Sequence, residues 1–340
     1  MIRISNPVKE FILKALLICF PFLLLFCLYV IADPFKVLYR YKNYYYPAER
    51  QSVVLNRDMI TTETLIRNYP VYEYDSYIFG NSRSYFYRTS EWGKLIGSTK
   101  CFHYNANDES LYGVVQKLKY LDRNNYLFEN ALFVFDIGLL KQTQPNKGHI
   151  FIKHPIYTNQ SWIEYQTEFL KSFYVPRFLI SYFDYKISGK FKGYMKQVMN
   201  DNIYDYDIEH NELFLNEVED KIKSDSIGFY NKKRKIFYER SVEEKLSLVI
   251  IKEEQELLLG QMAEILKKSN ISFRIIISPL YDQKKISPID KEYLMKLFGA
   301  NRVFDFSGKN QFTIPLNHYY ENSHYRPSVA TQLMKISYHK

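Results

Sequence analysis

The stretch Ala131-Leu132-Phe133-Val134-Phe135-Asp136-Ile137-Gly138 decides the fold. Its apolar residues run without a polar interruption and stop at an aspartate and a glycine. A strand with one wet face alternates apolar and polar side chains, whereas a strand covered on both faces does not. Residues 131–138 therefore read as a strand buried inside a parallel sheet. Similar short runs occur at 75–80 (DSYIFG), 100–106 (KCFHYNA), 272–280 (SFRIIISPL) and 302–307 (RVFDFS). Helical patterns separate them. Residues 108–124 carry Leu111, Val114, Val115, Leu118 and Leu121 at helical spacing. A long pattern over 242–268 carries Leu246, Val249, Ile250, Leu257, Leu258 and Ile265. Shorter helices are predicted over 290–298 and 328–338, with Pro327 suited to a first helical position. Strands alternating with helices predict an α/β fold: a three-layer α/β/α sandwich with a short parallel sheet and right-handed crossovers.

Residues 142–238 are too long for an ordinary crossover and read as a mainly helical insertion. It holds two helical stretches, 161–173 and 175–187, and a polar stretch over 201–212. It either caps the active edge of the sheet or carries a partner surface. No internal repeat is present.

Outward from the sheet, Ala15 to Ala32 contains no charged residue, and extension to Phe11 adds only Lys14. About 20 apolar residues cross a bilayer core as a helix. The leader carries Arg3, Lys9 and Lys14 against Glu10, which predicts a cytoplasmic tip and an extracytoplasmic remainder; Lys36, Arg40 and Lys42 work against that orientation. Val30-Ile31-Ala32 resembles a cleavage site, but the apolar run is longer than a signal peptide requires. Ile18 stands before Cys19 where lipoprotein processing wants a small residue. The reading is an uncleaved single-pass signal anchor (1–33), a tyrosine-rich juxtamembrane stalk (34–70) with a short helix over 61–68, and the α/β domain (71–340).

Composition narrows the function. Aromatic residues make up 17% of the 340, ample for one large core, and exclude a disordered chain. The net charge of +9 comes from dispersed lysines, which read as solvated surface and not as a nucleic-acid site. Two of the three cysteines lie in the apolar run, so Cys101 has no internal disulfide partner outside it. Zinc spacings are absent, and neither a metal nor another cofactor is expected.

Ligands of open parallel sheets bind beyond the carboxyl ends of the strands. The residues there are Gly80-Asn81-Ser82-Arg83-Ser84, then Asn105, Asn107 and Asp108, then Asp136 and Gly138. Glu321-Asn322-Ser323-His324-Tyr325-Arg326-Pro327 precedes the last helix. A serine on a glycine turn is a candidate nucleophile that needs a base within hydrogen-bond reach. His324 is the candidate base. Glu321 can orient its ring if the loop folds back. Asparagine amides and backbone N–H groups can hold an oxyanion, Asn105 first and Asn107 as the other choice. Arg83 either binds an anionic substrate group or pairs with Asp108.

FGNSRS (79–84) and ENSHYRP (321–327) resemble the first and last blocks of the SGNH/GDSL hydrolase superfamily, closest to its membrane-anchored bacterial branch. NAND (105–108) and DIG (136–138) fall where its middle blocks lie. The resemblance covers 72–140 and 270–340. It implies Ser82 as nucleophile and His324 as base. Three departures stand out: Asn81 replaces the usual Asp, Glu321 replaces the usual Asp, and no Gly-x-Asn-Asp occupies the third block. The resemblance implies a cell-envelope serine esterase or O-acyltransferase, periplasmic or on the cell surface. Its substrate would be acyl esters of a surface polysaccharide, with the acyl group passing to water or to a glycan hydroxyl. The alternative is a catalytically inactive scaffold that binds a glycan or a membrane-bound acyltransferase partner. The departures favour the scaffold; the retained Ser82 and His324 favour the enzyme.

Overall fold

The computed structural model describes residues 7–45, 50–200 and 202–339. Arg3 of the leader, residues 46–49 of the tyrosine-rich run and Asp201 lie outside the described residues. The five apolar runs form β1 (Ser76–Gly80), β2 (Cys101–His103), β3 (Asn130–Phe135), β4 (Ser272–Ile277) and β5 (Val303–Asp305). They pair in the order β5-β4-β3-β1-β2, all parallel. The chain runs from β1 outward to β2, then returns to the other side of β1 for β3. The order therefore reverses between β1 and β3, the position where open α/β sheets bind ligands.

The described helices are α1 (Pro7–Ala32), α2 (Arg57–Tyr72), α3 (Thr89–Ile96), α4 (Leu111–Arg123), α5 (Ile137–Lys141), α6 (Trp162–Phe173), α7 (Pro176–Ser188), α8 (Asn216–Ser224), α9 (Ser226–Lys232), α10 (Glu253–Lys268), α11 (Pro288–Phe298) and α12 (Pro327–Tyr338). Successive strand residues feed two different cores, because side chains alternate across a strand. Phe79, Phe133 and Ile275 pack with α4, α10 and α11, through residues such as Leu118, Met262 and Leu294. Ile78, Leu132, Val134 and Ile276 pack with Trp92 of α3 and with Val329 and Leu333 of α12. Each fully buried aliphatic side chain contributes about 1.5–3 kcal/mol.

Two expectations differ from the structure. The long helix over 242–268 begins only at Glu253. Upstream, the Asp290 carboxylate accepts the N–H groups of Ile250 and Ile251, each at 3.0 Å, so that stretch runs extended into the helix start. The expected stalk is instead packed. Helix α2 spans Arg57–Tyr72, capped by the Asn56 side chain, which accepts the Met59 N–H at 2.9 Å. Phe35, Tyr44 and Tyr45 join Leu55, Met59 and Ile60 in a third core with Phe169, Phe173, Phe178 and Tyr182 of the insertion. Helix α1 alone among the described residues is long and apolar enough to cross a membrane, with mean hydropathy 2.8 over its best window.

Candidate active site

The nucleophile loop is built where β1 ends. Gly80 has φ +153°, and a Cβ there would lie 2.6 Å from the Val134 carbonyl of β3, so only glycine fits. The next residues tie β1 to β3. The Asn81 amide donates to Asp136 Oδ2 at 2.6 Å, and Arg83 donates to the same oxygen at 2.8 Å. Asp136 Oδ1 meanwhile accepts the Leu139 N–H at 3.0 Å and caps α5. Arg83 therefore pairs with Asp136 and not with Asp108, whose carboxylate accepts from the Asn146 amide. Ser82 opens a short 3-10 turn (Ser82–Phe86), where a first-turn N–H has no acceptor within the turn.

The base arrives on a small hairpin, Tyr319–Glu321 against His324–Tyr325. Its register shifts between Tyr319 and Glu321, so that Glu321 faces His324. The Ser82 hydroxyl lies 2.7 Å from His324 Nε2. His324 Nδ1 meets Glu321 Oε1, and the Ser323 N–H donates to Glu321 Oε2 at 2.8 Å. A carboxylate only accepts, so Nδ1 carries the proton and Nε2 is left to accept from Ser82. Burial pushes the Glu321 carboxyl up, but the hydrogen bond and charge of His324 and the Ser323 N–H outweigh it and hold it below its ordinary range. The three residues predicted from two distant motifs are thus brought into one hydrogen-bonded chain.

The hairpin is held by residues that the sequence did not single out. Arg326 donates to both oxygens of Glu219 on α8, at 3.0 and 2.6 Å, and the Tyr320 hydroxyl donates to the same carboxylate at 2.6 Å. Behind it, the Tyr325 hydroxyl donates to the Tyr87 hydroxyl at 3.0 Å and shares a 3.2 Å hydrogen bond with Ser278. No local pattern connects Glu219 to Arg326.

Asn105, the favoured oxyanion donor, points inward. Its amide donates to His103 Nδ1 at 3.1 Å, and its oxygen accepts from the buried Arg57 at 3.2 Å. Asn107 instead lines the same cavity as Ser82 and His324. Its oxygen accepts the Tyr85 hydroxyl at 2.5 Å, which turns its NH2 group toward the Leu55 carbonyl, 3.4 Å away. The cavity has a volume of about 630 Å³. Phe86, Phe151, Leu213, Leu215 and Val218 give it an apolar wall, and Lys233 stands at the Glu321 side. Lys233 donates to the Tyr320 carbonyl at 3.0 Å, and burial lowers its pKa despite the attraction of Glu321. Most of this wall belongs to the insertion.

Cys101 is buried, which pushes its thiol up to about 12. Among the described residues no group of three or more His, Cys, Asp and Glu side chains is arranged to hold a metal ion. Comparison with protein-family models, curated proteins and solved structures returned no match for this chain.

Proposed function

We propose that the protein is a membrane-anchored, extracytoplasmic serine esterase or O-acyltransferase of the SGNH/GDSL type. The observation that carries this reading is the chain Ser82 Oγ–His324 Nε2 at 2.7 Å with His324 Nδ1 on Glu321. Ser82 attacks an acyl carbonyl while His324 takes its proton. The Ser82 N–H and the Asn107 amide hold the oxyanion. The bond to the leaving oxygen breaks as His324 returns the proton, leaving acyl-Ser82. Water or a sugar hydroxyl, deprotonated by His324, then attacks that ester and frees Ser82. The apolar wall suits the acyl group, and the aromatic residues beside it suit a sugar ring.

The sheet order and the helices on its two sides support a three-layer arrangement of the flavodoxin-like kind. The apolar helix α1 supports anchoring in the cell membrane. The surface polysaccharide and the membrane-bound acyltransferase partner rest on the family resemblance. The test is to incubate the full chain with p-nitrophenyl esters and digest it. A mass increase equal to the acyl group on the Ser82 peptide supports the reading. Ester turnover that survives Ser82→Ala removes Ser82 as the nucleophile, and no turnover by folded wild type moves the assignment to a non-catalytic scaffold.

A further inference from the structure

The insertion carries a helical hairpin whose outer face none of the described residues covers. Helices α6 and α7 pack their inner faces on the third core through Phe169, Phe173, Phe178 and Tyr182. On the opposite side of α7, Pro176, Ile180 and Ile187 follow the i, i+4, i+11 spacing of one exposed helical stripe, with Phe183 beside them half-buried against the third core. Ile180 is 62% exposed and Ile187 85% exposed. A soluble helix buries one apolar stripe and leaves the other side polar; this one is apolar on both.

The position of the hairpin identifies what covers that stripe. The Tyr174 hydroxyl, in the turn between α6 and α7, donates to the carbonyl of Phe22 at 2.8 Å. Phe22 lies inside α1, about 15 Å along the helix axis from its end at Ala32. Phe173 also packs on Tyr29 of α1, ring centroids 5.2 Å apart. The turn therefore sits beside the apolar part of α1 and not beyond it. Arg177, Lys186 and Lys190 are exposed around the stripe, while Asp184, the acid on the same helix, is engaged by Lys192 at 2.8 Å. Apolar side chains flanked by basic ones are the pattern of a helix lying in a bilayer interface with anionic headgroups.

We propose that α7 is a second membrane-contacting element: Ile180 and Ile187 enter the lipid interface beside α1, and Arg177, Lys186 and Lys190 meet anionic headgroups. The proposal rests on the reading of α1 as a membrane span. It fixes the height of the catalytic cavity, because the same insertion supplies Leu213, Leu215 and Lys233 to that cavity. Reactions at this site then take place close to the membrane surface.

The test uses the full chain, in a Trp162→Phe background, reconstituted in phosphatidylcholine/phosphatidylglycerol vesicles with brominated acyl chains. Tryptophan is introduced as Ile180→Trp, Ile187→Trp and, for comparison, Ile289→Trp on α11, where the parent side chain is 63% exposed. The expected result is quenching of the first two at least roughly twofold above the third, as interfacial side chains reach the upper acyl region. Protein that floats with the vesicles but quenches all three equally overturns the α7 proposal and leaves the anchor standing. Protein that does not float with the vesicles overturns the anchor reading and the proposal together.

Discussion

Two clusters of charged side chains in this protein behave in opposite ways. At the cavity edge, Glu321 and His324 keep side-chain exposures of 27% and 29%. Two residues beyond Asn107, Glu109 belongs to a cluster with Asp58, Lys117 and Lys153, none more than 2% exposed. There Lys117 reaches Glu109 at 2.7 Å and Asp58 at 3.1 Å, Lys153 bridges the same two acids, and the His154 N–H and Tyr157 hydroxyl add to Asp58. The buried set balances two acids against two bases and ties α2, α4 and the insertion together. Its strength lies in having every member paired, since a buried charge without a partner is costly. The cavity set leaves the Ser82 hydroxyl on a cavity wall. On the proposed function one cluster serves structure and the other chemistry, and substitutions separate them.

The largest expected effect is on Ser82 and His324. Ser82→Ala or His324→Ala lowers ester turnover on the order of 10⁶-fold, because groups that act as a unit fail as a unit. Neither changes the melting temperature appreciably. Glu321→Gln sharpens the contrast. It leaves a neutral group beside Nδ1 and lowers turnover by ~10³–10⁴-fold, since ring orientation and tautomer are lost. Its cost to stability stays near ~0–1 kcal/mol, as for other partly exposed pairs. In the buried cluster the ranking inverts. Lys117→Met leaves Lys153 alone to balance both Asp58 and Glu109, so one buried acid goes uncompensated. It costs about 3–5 kcal/mol in denaturant unfolding, while turnover per folded molecule falls far less than for Glu321→Gln. If Lys117→Met proves neutral to stability, the structural role of that cluster is wrong. Asn107→Ala removes the proposed side-chain oxyanion donor and lowers kcat by ~10²-fold with little change in KM.

The smallest effect is in the acid range. Burial alone pushes the Asp58 carboxyl up, yet Lys117 and Lys153, with Tyr157 and the His154 N–H, hold it well below the usual carboxylate range. A carboxylate depressed on folding contributes its full stability above the ordinary range near ~4 and loses it as pH falls through the lower folded value. Asp58→Asn therefore flattens the fall in melting temperature between ~pH 5 and ~pH 2, by about 2–4 °C per kcal/mol of linkage.

Legibility followed the range of the interactions. Strands β1, β3 and β4 announced themselves because burial on both faces demands continuous apolar sequence. Ser82, His324 and Glu321 were legible because each sits at a strand or helix end with its own local pattern. Sequence reasoning ranks Asn105 ahead of Asn107, whereas the structure turns Asn105 inward and puts Asn107 on the cavity wall. Two apart in an extended segment they share a face, but the turn at Asn107–Asp108, with Asp108 at φ 43°, breaks the alternation. The start of α10 depends on Asp290, distant in sequence, so the helical spacing of Leu246, Val249 and Ile250 misled. The tyrosine-rich segment after α1 looked like a stalk because its core is assembled from the insertion, with no period of its own. The clamp of Arg326 on Glu219 leaves no trace in either neighbourhood.

The central claim is that Ser82 is an activated nucleophile. The most direct measurement is labelling of the folded full chain with a serine-directed fluorophosphonate, alongside Ser82→Ala and His324→Ala. Wild type labels on the Ser82 peptide, and both variants lose the label while keeping the wild-type melting temperature. A folded wild type that takes no label, or a label that persists in Ser82→Ala, contradicts the account.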